Sequence, residues 1–291
     1  MILNETFDAN DIKNITLEQA VKDFENLKKK RFIEISNETR IGNAFLNYFT
    51  FKARLNTRGV KGMNFFEFLE NKEYHNKPYI KRLIDSQKNG SRTAILYRVY
   101  TLHCGNISLL KPVNALKVID IFKPNCVLDF CCGWGSSLVG ASALNINKFI
   151  GIDLNPQLIT PLSEMRHQLK LLSKTEIELY FTDCLLVDYS LLDYDMVFTS
   201  PPYYNTEKYV GSSFKTIEEW DKWYIQIFSK TYKYLKPNGY FLLNIPEEIY
   251  NRVCVSLLGN CVFKIELLRK KRKLTKNQTN IKTEYIYVFF K

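Results

Sequence analysis

The sequence predicts an α/β fold: a doubly wound, mostly parallel seven-stranded sheet with an antiparallel edge strand, preceded by a mostly helical region. Three observations predict it. From about Lys111, short apolar runs alternate with segments of helical apolar spacing. The last two apolar runs are joined by a basic segment without a helical pattern, so we expect them to pair antiparallel at one edge. Residues 1–105 are charged and aromatic, with helix-like spacing.

The elements of residues 106–291 are predicted one by one from these patterns. Helices are expected at 112–122, 136–144, 156–174 and 217–235, and strands at 126–130, 148–153, 177–181, 195–199, 240–245, 262–268 and 284–290. We therefore divide the chain into a mostly helical region, 1–105, and an α/β domain, 106–291. In a sheet of this kind, ligands bind at the carboxyl ends of the strands.

The composition excludes several classes of protein. Hydrophobic residues make up 46% of the 291 residues, which excludes general disorder, and no apolar run approaches the length of a membrane span. Seven cysteines without a CxxC pair and three scattered histidines disfavour a disulfide scaffold and a structural zinc site. The absence of an apolar leader at 1–10 predicts a soluble, intracellular, cytoplasmic protein. The net charge of +11 favours a polyanionic partner.

A glycine-containing turn joins the first predicted strand to the next helix, in the run from Asp129 to Ser137. Gly133 and Gly135 allow close approach of a ligand, and Asp153, at the end of the second strand, can accept both ribose hydroxyls of an adenosine moiety. A tight turn without a ligand is the alternative interpretation. A dinucleotide site is disfavoured because Leu138 stands where GxGxxG has its third glycine.

The segment Ser200-Pro201-Pro202-Tyr203 ends the fourth predicted strand. The prolines fix an extended backbone and remove two N–H donors, so that their carbonyls and the Ser200 hydroxyl are expected to be acceptors in the cleft. Such acceptors suit an exocyclic amine, whose lone pair they free from its ring, and Tyr203 offers a ring on which a base can stack. A rigid turn beside core tyrosines is the alternative.

Together these motifs resemble those of the S-adenosylmethionine-dependent DNA amino-methyltransferases of the N4-cytosine/N6-adenine group. The resemblance covers about residues 106–291 and implies a Rossmann-like fold, S-adenosylmethionine as cofactor and no metal. It implies that Ser200, Pro201, Pro202 and Tyr203 are catalytic, and that the cofactor is bound by Lys111, Pro112, Asp129, Cys131, Gly133, Gly135, Asp153 and Asp183. The family has an aromatic residue at the position of Cys131 and a small one at that of Trp134.

The resemblance further implies site-specific methylation of double-stranded DNA at a flipped base, with cytosine N4 slightly favoured over adenine N6. A restriction endonuclease would be a fitting partner, and the region 1–105 is expected to contact DNA or to be accessory. The basic run Arg269, Lys270, Lys271, Arg272 and Lys273 is predicted to bind phosphates, with a solvated hairpin tip as the alternative. Methylation of RNA or of protein glutamine, and nucleic-acid binding without turnover, stay open as alternatives.

Overall fold

The computed structural model describes residues 12–30, 39–58, 61–87, 89–105, 109–204, 214–267 and 284–291. Its helices are α1 (Leu17–Lys28), α2 (Asn43–Arg54), α3 (Phe65–Glu70), α4 (Lys72–His75), α5 (Pro78–Asp85), α6 (Arg92–His103), α7 (Pro112–Phe122), α8 (Ser136–Leu144), α9 (Ile159–Leu172), α10 (Ile217–Tyr234), α11 (Glu247–Ile249) and α12 (Val255–Leu258). Its strands are β1 (Cys126–Asp129), β2 (Lys148–Asp153), β3 (Glu176–Phe181), β4 (Met196–Thr199), β5 (Tyr240–Ile245), β6 (Phe263–Leu267) and β7 (Glu284–Phe290).

The seven strands form one sheet in the order β3-β2-β1-β4-β5-β7-β6. Strands β1 to β5 pair parallel, whereas β7 runs antiparallel to both β5 and β6. The predicted mostly parallel sheet is thereby confirmed. The last two strands pair antiparallel at one edge as expected, with β6 outermost and the antiparallel β7 inside it.

The predicted helix 156–174 differs in detail from the structure. A 3-10 turn at Pro156–Leu158 precedes α9, which ends at Leu172. The helix ends there because Ser173 is extended and its hydroxyl donates to the carbonyl of Ser142, at 2.7 Å. Between β3 and β4 the structure also has 3-10 turns at Cys184–Leu186 and Tyr189–Leu191, and a π-helical turn at Tyr250–Cys254 joins α11 to α12.

Both faces of the sheet are covered, as expected for a doubly wound fold. On one face, Val127 of β1 packs in a cluster with residues of α7, α8 and α9. On the other face, Leu128 packs in a second cluster with Trp220, Tyr224 and Phe228, which α10 presents at intervals of four residues. This spacing places the three aromatic side chains on one stripe of the helix.

The N-terminal region is helical over its described residues and contributes to two different cores. Phe24 of α1 and Phe45 of α2, both fully buried, join the cluster of α7 and α8 on the sheet. Helices α3 to α6 instead surround a separate cluster that includes Phe65, Phe68 and Val99. Helices α1 and α2 thus form an outer layer of the α/β domain, while the boundary between residues 105 and 106 stays a prediction.

Two features are absent from the described part of the chain. No helix there is both long and apolar enough to cross a membrane. No group of three or more histidine, cysteine, aspartate or glutamate side chains lies there in an arrangement that could hold a metal ion.

Candidate active site

Four of the residues selected from the sequence lie along one edge of the sheet. Asp129 ends β1, Asp153 ends β2, Asp183 follows β3 by two residues, and Ser200 directly follows β4. The strands β3-β2-β1-β4 are neighbours and parallel, so their carboxyl ends meet at the same edge. In such folds this edge is where ligands bind.

The two glycines of the turn serve different purposes. Both have a left-handed backbone, with φ of +49° at Gly133 and +86° at Gly135. Among the described residues, a Cβ at Gly133 would have only the Cys131 carbonyl near it, at 4.0 Å, so this glycine borders space that they leave open. A Cβ at Gly135 would lie 2.9 Å from Leu162 Cδ2, which makes glycine necessary for packing against α9. Space for a ligand is therefore at Gly133.

Asp153 is held against the turn by backbone donors. Its Oδ2 accepts from the N–H of Gly133 at 2.8 Å, and its Oδ1 accepts from the N–H of Asn155 at 2.9 Å. Burial raises the pKa of this carboxyl, and the backbone donors partly oppose the rise. Each carboxylate oxygen retains a second lone pair, so that the group can still accept ribose hydroxyls.

Asp129 lies beneath the turn and is 4% exposed. It accepts a hydrogen bond from the Ser137 hydroxyl and one from the N–H of Cys131 at 3.3 Å. Burial raises the pKa of Asp129 to about 6, although the Ser137 hydroxyl favours the charged form. These contacts join the end of β1 to the start of α8, and they show Asp129 ordering the turn from inside.

Asp183, Cys131 and Trp134 make different contacts at this edge of the sheet. Asp183 Oδ1 caps the 3-10 turn after β3 by accepting from Leu185 N–H at 2.9 Å. The small side chain of Cys131 leaves its thiol hydrogen-bonded to Cys184, a contact that together with burial raises the pKa of Cys131. Trp134 is 9% exposed and packs into the core with α8.

The predicted Lys111-Pro112 element begins α7, and the N-terminal region reaches it. Pro112 stands in the first turn of the helix, where its missing N–H costs no hydrogen bond. Gly42, with φ of +87°, directly precedes α2, and a Cβ there would lie 2.8 Å from Pro112 Cβ. Sequence reasoning missed this contact, because Gly42 and Pro112 are 70 residues apart.

The catalytic candidates after β4 are linked through hydroxyl groups. Ser200 Oγ lies 2.8 Å from Tyr203 Oη, and Tyr203 Oη donates to the backbone carbonyl of Asn244 at 2.8 Å. Asn244 belongs to β5, the strand beside β4. Ser200 is exposed and Tyr203 is partly buried. The acceptor is a main-chain carbonyl, which any residue at position 244 would offer, so no sequence signal marks this contact.

One expectation about the prolines is corrected. The carbonyl of Pro202 is not left free, as the sequence predicted, because the hydroxyl of Tyr224 on α10 donates to it at 2.5 Å. Tyr224 is fully buried and fixes the backbone of the motif from behind. The carbonyl of Pro201 accepts no hydrogen bond from the residues described in the structure.

The segment after the motif is fixed by an ion pair. Tyr204 Oη donates to Asp221 Oδ1 at 2.9 Å, and Arg252 donates to Asp221 Oδ2 through Nη2 at 2.6 Å. Asp221 is on α10 and Arg252 in the π-helical turn, so two elements beyond the sheet hold Tyr204. The predicted DNA-binding run Arg269, Lys270, Lys271, Arg272 and Lys273 lies outside the described residues.

Comparisons with solved structures give weak similarities to methyltransferases. TrmN from Thermus thermophilus is 16% identical with a TM-score of 0.47, the match covering 62% of this chain and 49% of that chain. Precorrin-6y C5,15-methyltransferase from Geobacter metallireducens is 16% identical with a TM-score of 0.41, and the match covers 63% of this chain and 90% of that chain. SMU.776, a methyltransferase complexed with SAH, is 15% identical with a TM-score of 0.44, and the match covers 63% of this chain and 51% of that chain. This chain thus spans about half the length of TrmN. No curated protein matches the sequence.

A family model described as DNA methylase, of the N6/N4 methyltransferase group, matches residues 194–291. The matched part contains Ser200–Tyr203 and excludes the glycine turn. The match over residues 194–291 agrees with the predicted methyltransferase class, and with S-adenosylmethionine as the cofactor of that class. The predicted resemblance to the N4/N6 DNA amino-methyltransferases is likewise confirmed, over residues 194–291, by the match to the DNA methylase family.

Proposed function

We propose that the protein is a DNA N-methyltransferase, which moves a methyl group from S-adenosylmethionine to the exocyclic amino nitrogen of a flipped base. The observation that carries the proposal is the position of Ser200 and Tyr203. Ser200 directly follows β4 and Tyr203 comes three residues later, at the sheet edge that also bears Asp129, Asp153 and Asp183. A hydroxyl acceptor and an aromatic ring therefore lie beside a site suited to an adenosine.

The residues present fit the cofactor. Gly133 borders open space, Asp153 has free lone pairs for ribose hydroxyls, and Asp183 Oδ2 accepts no hydrogen bond from the described residues and can take one from an adenine amino group. Lys111, Pro112, Asp129, Cys131 and Gly135 would complete the site by shaping the turn and its border. When bound, S-adenosylmethionine supplies a methyl group activated by a positively charged sulfur.

The side chains after β4 prepare the nitrogen that receives the methyl group. An exocyclic amine is a poor nucleophile because its lone pair is delocalised into the ring. Ser200 Oγ and the Pro201 carbonyl accept its two N–H protons, which pulls the nitrogen toward a tetrahedral geometry and localises the lone pair. The new C–N bond forms as the methyl C–S bond breaks, and one N–H proton then leaves to water. No general base is needed.

Transfer to a ring carbon is disfavoured by the state of the nearby cysteines. Methylation of cytosine at carbon 5 requires a thiolate that adds to the ring. The thiols closest in sequence to the turn and to Asp183 are Cys131, Cys132 and Cys184. Burial contributes to raising the pKa of Cys131 and of Cys132, and the Cys131 thiol is hydrogen-bonded to Cys184. A raised pKa keeps the thiols of Cys131 and Cys132 protonated, and a protonated thiol is a poor nucleophile.

The net charge of +11 and the DNA methylase match support double-stranded DNA as substrate. Tyr203 can stack only on a base that has left the helix, so we infer base flipping. The basic run from Arg269 to Lys273 is proposed to bind backbone phosphates, and the region 1–105 to contact DNA or to be accessory. Cytosine N4 is favoured over adenine N6, because Ser stands at the first position of the motif in Ser200-Pro201-Pro202-Tyr203.

The test is product identification. The 291-residue chain is incubated with methyl-labelled cofactor and unmethylated DNA, the DNA is digested to nucleosides, and the labelled product is identified by mass and retention time. We expect N4-methylcytosine. Label in N6-methyladenine would change only the base, and label in 5-methylcytosine would overturn the mechanism. Parallel reactions with RNA and with protein would reveal another substrate, and cofactor binding without any label transfer would mean that turnover has been lost.

A further inference from the structure

The hydroxyls of Ser200 and Tyr203 are arranged as a chain that ends on a main-chain carbonyl. Ser200 Oγ is 2.8 Å from Tyr203 Oη, which is 2.8 Å from the carbonyl oxygen of Asn244. Asn244 is 5% exposed and lies in β5, paired on one side with β4 and on the other with β7. The end of this chain is therefore fixed by the sheet itself.

Counting protons gives the direction of each hydrogen bond. The Asn244 carbonyl has no proton, so the single hydroxyl proton of Tyr203 must lie between Tyr203 and Asn244. The short contact between the two hydroxyls then needs the proton of Ser200, which donates to Tyr203 Oη. With its only proton directed at Tyr203, Ser200 Oγ has its lone pairs free on the exposed side.

This orientation matters for an amine substrate. A serine hydroxyl that rotates freely can donate its proton to the nitrogen lone pair, which would block the nucleophile, or accept an N–H, which would activate it. We infer that Tyr203 is a positioning residue, whose hydroxyl keeps Ser200 as a hydrogen-bond acceptor toward the amine. The inference rests on the proposed function and gives Tyr203 a task separate from base stacking, because the phenol oxygen and not the ring performs it.

The chain offers a matched control for removal of this hydroxyl. Tyr232 on α10 also donates to a strand carbonyl, that of Phe290, at 3.2 Å, and it lies away from the motif. The substitutions Tyr203→Phe and Tyr232→Phe therefore remove the same atom and the same type of hydrogen bond, and both keep the ring. Ser200→Ala and the double variant Ser200→Ala/Tyr203→Phe complete a cycle.

The kinetic test measures methyl transfer by the 291-residue chain and its variants. Tyr203→Phe should lower kcat about tenfold, as for loss of a hydrogen bond, with the KM values for DNA and cofactor within about twofold of wild type. Tyr232→Phe should match wild type. In the Ser200→Ala background, Tyr203→Phe should have no further effect, because no hydroxyl is left to orient. Equal losses in both backgrounds, or a raised KM for DNA with unchanged kcat, would overturn the inference.

A second measurement needs no activity and separates this inference from the proposed function. Tyrosine labelled with 13C at Cζ reports hydrogen bonding at each phenol, and the Tyr203 signal is assigned by its loss in Tyr203→Phe. Ser200→Ala should shift the Tyr203 signal and leave that of Tyr232 in place. A Tyr203 signal that does not respond to Ser200→Ala would refute the inference, even for a protein that methylates DNA. A shifted signal in a protein that methylates no DNA would refute the proposed function alone.

Discussion

The carboxylate of Asp153 accepts a hydrogen bond from the backbone N–H of Gly133 at 2.8 Å, which joins the second strand to the turn after the first. The contact places an acidic group beside Gly133, where an added Cβ would meet no close neighbour among the described residues. It also fixes the carboxylate before any ligand arrives, since Asn155 N–H holds the other oxygen at 2.9 Å. A preorganised acceptor loses little entropy when it binds a ribose.

The first prediction concerns this carboxylate. Asp153→Ala should weaken S-adenosylmethionine binding by about 1.5–3 kcal/mol, the usual contribution of hydrogen bonds to a charged group. Isothermal titration calorimetry measures the change. Asp193→Ala is the control, because this carboxylate is 80% exposed and pairs only with Lys236 among the described residues. An unchanged affinity in a folded Asp153→Ala protein would show that the ribose is held elsewhere.

The second prediction concerns the buried Asp129. Its pKa is raised to about 6 by burial, so the folded state binds the proton more tightly than the unfolded chain, whose pKa is near 3.8. The contribution of protonated Asp129 to the stability of the folded state is complete below about pH 4, and it is lost as the pH rises through 6. Asp129→Asn does not ionise, so it should be more stable than wild type at pH 7 by about 1–3 kcal/mol.

Urea unfolding of both proteins at pH 3.5 and pH 7 tests this, and the gain of Asp129→Asn should appear only at pH 7. Asp188→Asn is the control, since Asp188 is exposed and hydrogen bonds from Ser190 lower its pKa. Asp188→Asn should therefore gain no stability relative to wild type when the pH rises from 3.5 to 7. An equal effect of Asp129→Asn at both pH values would mean that packing, and not ionisation, separates it from wild type.

The fold could be predicted far into the details because local patterns determine it. Helices α7 and α8 and strands β2, β5 and β7 have the bounds that apolar spacing, Pro112 and the glycine turn predict. The positions of Asp129, Asp153 and Ser200 at one edge follow from the predicted parallel direction of the strands that they end or follow. Helices, strands and turns that depend on local patterns can be predicted from the sequence, because each signal lies within a few residues of the feature that it predicts.

The rest depends on docking between distant segments. Tyr224 takes the carbonyl of Pro202 from a helix 22 residues away, so the prediction that this carbonyl is free was wrong. The hydrogen bond from Tyr203 to the Asn244 carbonyl joins the segment after β4 to β5, across 41 residues of sequence. Gly42 against Pro112 is a third example. Neither composition nor spacing specifies which helix face meets a given carbonyl, and these contacts emerge only from the packed structure.

The third prediction concerns DNA. Neutralising Arg269, Lys271 and Arg272 together should flatten the dependence of log K on log salt concentration by up to about 2.7, from about 0.9 for each phosphate that the protein no longer neutralises. Cofactor affinity should not change. The control replaces Lys123, Lys174 and Lys236, exposed residues that precede β1, β3 and β5 and so lie at the opposite edge of the sheet. A slope that changes equally in both triple variants would indicate general charge, and an unchanged slope would place DNA on another surface.

The last prediction separates the two glycines of the turn. Alanine at either position must adopt a left-handed backbone, at a cost of about 1–2 kcal/mol. At Gly135 the added Cβ would also lie 2.9 Å from Leu162 Cδ2, so Gly135→Ala should lower Tm more than Gly133→Ala. At Gly133 the Cβ would enter the open space proposed for the cofactor, so Gly133→Ala should lose more cofactor affinity than its small loss of Tm explains. Thermal melts with and without S-adenosylmethionine give both quantities. The rise in Tm on adding cofactor should be smaller than wild type in Gly133→Ala and close to wild type in Gly135→Ala. The reverse order would place the cofactor away from Gly133, because only a group near that Cα can be displaced by a single methyl.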